Sequence, residues 1–161
     1  FRKIIALRVE ALNHALAGIS PEQARHHICW GNGEGPHHKD VELKDIIDIL
    51  LKARVGAIYV EGANPRHGHE WKVFREVRLP DGMVLIAGVI DTKTNFIEHP
   101  ELVADRIMNY ASVVGRENVI AGTDCGFGTS ADRDRVAPSI SWAKLKAMAE
   151  GAQLASQRLW S

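Results

Sequence analysis

The chain has 161 residues, 45% of them apolar, which is the usual size of one domain and enough apolar material for a sizeable core. Twenty Lys and Arg balance twenty Asp and Glu, so no net field argues for nucleic acid or an anionic membrane surface. The longest apolar stretches fall far short of the roughly 20 residues that a membrane helix needs. No signal-peptide pattern follows Phe1-Arg2-Lys3, and two cysteines do not make a disulfide scaffold. A cytoplasmic protein with both thiols free is expected.

Residues 1–18 predict a helix, with Ile4, Ile5, Leu7, Leu12 and Leu16 near helical spacing. Ser20-Pro21-Glu22 reads as a turn or the start of another helical turn. Residues 27–30 predict a short strand, ended by the glycine-rich run 31–36. A helix is expected over 41–54, where Leu43, Ile46, Ile47, Leu50 and Leu51 share a face, and a second strand over 57–61. Residues 69–76 suit a short helix, and Pro80-Asp81-Gly82 a turn. The apolar run 84–90 reads as a strand buried on both faces. Pro100 opens a helix over 101–114. A fourth strand at 119–123, a loop at 126–130 and a helix at 139–159 complete the chain.

Strands alternating with helices imply βαβ units and a parallel sheet. Four such units are half of a (β/α)8 barrel, which typically takes about 250 residues. The expectation is therefore an α/β single domain, 1–161, forming a partial (β/α)8 barrel or a smaller open sheet. An isolated half exposes an edge strand and an inner face, so a second chain or a missing N-terminal half is expected to complete it.

His27 and Cys29 are two apart on the first predicted strand, which points both side chains to one face. Glu61 ends the second strand and Cys125 follows the fourth. All four lie at C-terminal strand ends, where active sites of parallel α/β folds are built. One imidazole, two thiols and one carboxylate make a complete donor set for zinc. A zinc bound by two thiolates suits activation of a thiol substrate better than of water. Against this stands the plain alternative that Cys29 and Cys125 are buried core cysteines.

His27-Ile28-Cys29, the strand-end Glu61 and Asp124-Cys125-Gly126 resemble the metal-site pattern of the cobalamin-independent methionine synthases. Cys29-Trp30-Gly31-Asn32, Glu61-Gly62-Ala63-Asn64-Pro65 and Thr123-Asp124-Cys125-Gly126-Phe127-Gly128 are similar to the short, single-barrel branch, which includes the epoxyalkane:coenzyme M transferases. The resemblance covers the C-terminal half of the family's catalytic barrel. It implies a zinc enzyme with ligands His27, Cys29, Glu61 and Cys125 that transfers a methyl or alkyl group to a zinc-activated thiol. In methionine synthases the thiol is homocysteine and the donor a methyltetrahydrofolate; in the other branch the electrophile is an epoxide. One departure is that Lys93 stands where methionine synthases carry a His, two residues after the Asp of Gly88-Val89-Ile90-Asp91. Another is that the family's homocysteine-binding segments belong to the absent half. A catalytically silent zinc-binding fragment and a metal-free α/β domain remain as alternatives.

Among other candidates, Asp91 suits an acid/base or substrate-binding role, or a turn. Asp124 suits a partner for a ligand, or loop amides. Lys93 completes the catalytic candidates. Arg66 suits an anionic group. His37 and His38 suit exposed loop positions or further metal ligands, and His67 and His69 follow a strand end. Trp30 and Trp71 suit a core or a pocket wall. No Gly-x-Gly-x-x-Gly or Gly-x-Ser-x-Gly is present.

Overall fold

Four strands, each preceded or followed by helix, pair side by side in the order of the chain. The computed structural model describes residues 1–131 and 133–161. Its strands β1 (Arg25–His27), β2 (Ala57–Val60), β3 (Val84–Ile90) and β4 (Val119–Thr123) form one parallel sheet in the order β1-β2-β3-β4. The register sets Ile58 beside Leu85 and Ile86 beside Ile120. Successive parallel neighbours linked by crossovers are the topology of consecutive βα units.

The two faces of the sheet differ. Ile58, Val60, Leu85, Ala87 and Val89 are buried in the main core against Val103, Ala104, Ile107 and Tyr110 of α3 (Pro100–Val114). The alternate residues face the other way: Tyr59 donates to the Thr123 carbonyl, His27 meets the Tyr59 ring edge-on, and Ile120 is 40% exposed. This second face carries no helix layer among the described residues, as in half of a barrel.

α3 starts as its sequence dictates. Pro100 occupies the first turn, and the His99 ring accepts the Glu101 amide at 3.1 Å. It packs on α4 (Pro138–Trp160), whose buried face is Lys144, Ala147, Gly151 and Ala155. At Gly151 the helices come close: a Cβ there would lie 2.7 Å from the Pro100 carbonyl oxygen. Gly151→Ala is therefore expected to destabilise the chain by about 1–3 kcal/mol despite the better helix propensity of Ala. Urea unfolding checks this, and an unchanged midpoint would refute the close packing.

Three expectations need correction. The first strand ends where 27–30 was expected to begin; beyond His27 only the Ile28 amide still pairs, with Tyr59 O at 2.8 Å. It is an edge strand with Arg25 exposed, so no apolar run marks it. Cys29 thus lies past the strand, and the same-face argument for His27 and Cys29 does not apply. The helix expected at 41–54 is instead a 3-10 turn, Leu43–Asp45, then a short α2, Ile47–Leu50, separated at Ile46 with φ −132°. The Leu43 amide is taken by Glu70 Oε1 at 2.7 Å. Leu43, Ile46, Ile47 and Leu50 are all buried as their spacing requires, without a continuous helix. The loop at 126–130 contains β5 (Gly128–Ser130), which pairs antiparallel with β6 (Arg133–Asp134). α1 (Arg2–Ala15) sits beside α2, tied by Asn13, which accepts the Arg54 amide and donates to Lys52 O. No helix among the described residues is long and apolar enough to cross a membrane.

Candidate metal centre

The ends of β1, β2 and β4 and the loops beyond them meet at one edge of the sheet. There the ligating atoms of His27, Cys29 and Cys125 all lie within 4.8 Å of one another. The two sulfurs are 3.5 Å apart and not bonded as a disulfide. Two sulfurs each about 2.3 Å from a tetrahedral zinc stand about 3.8 Å apart, so the spacing fits a shared metal ion. Glu61 joins from the end of β2, with Oε1 3.6 Å from Cys125 Sγ. His27 and Cys29 are exposed, whereas Glu61 and Cys125 are buried.

The surroundings would suit a cation. Burial, then the Glu61 carboxylate, then Cys29 push the Cys125 thiol well above its ordinary range. Burial lowers the His27 imidazole, against the opposing charge of Glu61, which favours the neutral, ligating form. Two sulfurs and a carboxylate in contact repel one another as anions; a dication between them removes that penalty.

Besides the Cys125 thiol, Glu61 accepts from the Trp30 amide on Oε1 at 3.1 Å, and on Oε2 from Asn64 Nδ2 at 2.9 Å and Lys93 Nζ at 3.3 Å. Asp124 sits behind it, fully buried. Its Oδ1 accepts the Gly62 and Ala63 amides, each at 2.8 Å, and its Oδ2 accepts the Asn64 amide and Asn64 Nδ2 at 2.9 and 2.8 Å. The carboxylate thereby clamps the turn that follows Glu61. Gly88 leaves room for it, because a Cβ there would fall inside contact distance of Asp124 Oδ1. Asp91 lies one loop away: its Oδ1 accepts the Lys93 amide at 3.1 Å, an Asx-type turn that sets the course of the Lys93 main chain.

Neighbouring loops brace the donors. Asn32 donates to Gly126 O at 2.8 Å and to Thr129 Oγ1 at 2.9 Å, and accepts from Thr92 Oγ1 at 3.0 Å, joining the loops after β1, β3 and β4. Trp30 stacks on His67 at 4.2 Å and donates to Val41 O at 2.7 Å. His67 is buried between Glu70 (2.8 Å) and Asp40 (3.3 Å), and Asp40 also binds His37 at 2.6 Å. Burial disfavours the His67 imidazolium, but Glu70 and Asp40 outweigh it and raise its pKa. His37, His67 and Trp30 therefore build the wall of the site. Arg66 reaches Asp40 O, His38 and His69 are exposed, and Trp71 packs under Arg75. A cavity of about 980 Å³ between α1 and β1, lined by Ile5, Val9, Ile28, Val41 and Ile46, reaches His27 and Cys29.

Sequence reasoning missed Asn32, Asn64, Glu98 and Lys144. Asn64 and Asn32 lie in the motif stretches, but nothing in a sequence says what an Asn side chain bonds. Lys144 had a signal: it falls in phase with Ala147, Gly151 and Ala155 on the buried face of α4.

No protein-family profile matches the chain. The chain is 27% identical over 143 residues to 2-hydroxypropyl-CoM lyase of Xanthobacter autotrophicus, covering 73% of this chain and 38% of the lyase. It is 26% identical over 130 residues to the uncharacterized protein YxjG of Bacillus subtilis, covering 77% of this chain and 32% of that protein. The structure matches the B12-independent methionine synthase of Shewanella sp. W3-18-1, solved with selenomethionine, at a TM-score of 0.75 and 22% identity. That match covers 94% of this chain and 43% of the synthase. The fold is thus mixed α/β, with a four-stranded parallel sheet like half of a methionine synthase barrel. The lyase and the synthase are what the chain is similar to, the first in sequence and the second in fold, in keeping with the resemblance of its motifs. The chain spans well under half the length of these relatives.

Proposed function

We propose that the chain carries one zinc ion on His27, Cys29, Glu61 and Cys125 and uses it to prepare a substrate thiol for alkylation. The observation that carries this reading is the convergence of one imidazole and two thiols within 4.8 Å, with a buried carboxylate against one of the sulfurs. The donor chemistry fits the metal. Zinc in such a donor set lowers the pKa of an incoming thiol and fixes its direction.

The protein's own groups set the rest. Cys29 and His27 are exposed and form the open side, from which a thiol enters. Glu61 is the donor best placed to yield its position, because Asn64 and Lys93 already hold its second oxygen. Asp124 keeps the Glu61 turn in place, and Asp91 keeps Lys93 there. The thiol and the alkyl donor belong to the whole protein, 1–161 being one partial-barrel domain completed by a missing half or a second chain. A methionine synthase-like methyl transfer to homocysteine or a similar thiol is the leading reaction. The second reading, opening of an epoxide by a coenzyme M-type thiol, is favoured by Lys93 in the position of the family's His and by similarity to the lyase.

The test is thioether formation followed by mass spectrometry. Zinc-loaded protein is offered homocysteine or coenzyme M with a methyltetrahydrofolate polyglutamate or a small epoxide. Product from one donor only selects between the readings. No product from any pair, in a protein shown to contain the complete barrel, would contradict alkyl transfer.

Proton release gives a further expectation. Cys125 is protonated in the metal-free chain because burial and Glu61 raise its pKa, and it ligates only as the thiolate. Zinc binding therefore expels its proton, and affinity falls as pH falls. Cys125 alone contributes about tenfold per pH unit throughout the range below its raised pKa. Zinc titrations against a chelator of known affinity at pH 6, 7 and 8, roughly the range in which zinc sites are studied, check this. A flat profile would remove Cys125 from the ligand set.

A further inference from the structure

Two largely buried ion pairs, Glu61–Lys93 and Glu98–Lys144, are joined through the backbone of the 91–98 loop. Lys93 Nζ lies 3.3 Å from Glu61 Oε2, and its side chain is only 9% exposed. Two residues earlier, the Asp91 amide donates to Glu98 Oε1 at 2.9 Å. The other oxygen of Glu98 lies 2.8 Å from Lys144 Nζ, and Lys144 also donates to the Phe96 carbonyl. Lys144 is fully buried on α4, and the Glu98 side chain is 8% exposed. The loop carrying Lys93 is thus tied at 91, 96 and 98 to one buried ammonium.

This pair makes little sense as a stabilising device. A buried ion pair is often no better for stability than apolar side chains of the same volume. The loop it holds buries little: residues 94–97 are exposed, and Phe96 is 84% exposed. What the pair does fix is the position of Lys93. An ammonium sharing a carboxylate with a metal weakens that carboxylate as a ligand, since it polarises the same oxygens and repels the dication.

We propose that Lys144 and Glu98 are positioning residues for the metal centre: they hold the 91–98 loop so that Lys93 stands on Glu61 and keeps that carboxylate weakly bound and exchangeable for an incoming thiol. The proposal rests on the reading that Glu61 is the fourth donor of the zinc site.

The test uses zinc affinity from chelator competition and the visible spectrum of the cobalt(II)-loaded protein. The variants are Lys93→Met, the double variant Lys144→Met/Glu98→Gln, and all three changes together. The double variant leaves neither a buried carboxylate nor a buried ammonium unpaired; Lys144→Leu/Glu98→Gln, whose new side-chain carbonyl still accepts from the Asp91 amide, serves if it does not fold. Lys93→Met is expected to bind zinc about tenfold more tightly. The double variant is expected to tighten binding in the same direction and to shift the cobalt bands as Lys93→Met does, and the triple variant to bind no tighter than Lys93→Met. A purely structural pair would lower the Tm, leave the cobalt spectrum unchanged and add its effect to that of Lys93→Met; that pattern overturns the proposal. Weaker or unchanged zinc binding in Lys93→Met overturns it as well. Failure of the wild-type chain to take up any zinc would instead defeat the metal reading itself, which separates the two failures.

Discussion

Replacing Asp124 by Asn is expected to lower stability by about 2–5 kcal/mol, the largest loss from any single change at the site. The substitution removes a charge and one oxygen while keeping the shape. Two buried N–H groups face each Asp124 oxygen, so whichever way the new amide turns, its NH2 points at two donors. Each orphaned buried donor costs about 1–3 kcal/mol. The turn 62–64 then loses its clamp, and Glu61 loses its place against Cys125. The change should therefore weaken metal binding as well as lower the midpoint of chemical unfolding. Gly88→Ala is expected to act in the same direction, because its methyl group would collide with the same Asp124 oxygen. Unfolding curves for both variants check the argument. A midpoint within experimental scatter of wild type for Asp124→Asn would mean that the clamp contributes nothing.

The second large effect is expected at Cys125. With zinc as the occupant, Cys125→Ala removes one of four donors and should lower zinc affinity by about 100-fold or more, since a complete structural set is worth on the order of 10–16 kcal/mol. The same change in a metal-free domain would cost only packing, about 1–3 kcal/mol. The two effects are separable by comparing unfolding with and without a chelator. Zinc should stabilise the wild-type chain and leave Cys125→Ala almost untouched. Equal response of both chains to chelator would show that Cys125 lies outside the metal site.

How much of this was legible in the sequence varied with the kind of signal. β3 was read to its end residues because a buried central strand is a continuous apolar run, and β4, at the other edge of the sheet, because Val119–Thr123 has few polar interruptions. β1 was misplaced because an edge strand carries Arg25-His26-His27, which has no apolar pattern. The 41–54 segment shows the limit of periodicity. Leu43, Ile46, Ile47 and Leu50 are buried as the spacing demands and Leu51 partly so, yet Glu70 captures the Leu43 amide and Ile46 leaves the helical region, so the helix is cut short. That His27, Cys29, Glu61 and Cys125 come together was legible because parallel sheets gather residues from strand ends that are distant in sequence, and His, Cys and Glu carry their chemistry in their identity. The bracing groups were not. Asn64 bridges Glu61 and Asp124, and Lys144 reaches Glu98 across the fold, through contacts that only the packed chain creates.

Zinc K-edge X-ray absorption of the reduced, zinc-loaded protein, before and after adding the thiol, tests the central claim most directly. The account predicts two sulfurs at about 2.3 Å with two nitrogen or oxygen donors at about 2.0–2.2 Å. On addition of homocysteine or coenzyme M it predicts a third sulfur and the loss of one oxygen. Absence of zinc, a shell without sulfur, or a two-sulfur shell that neither thiol alters would contradict it.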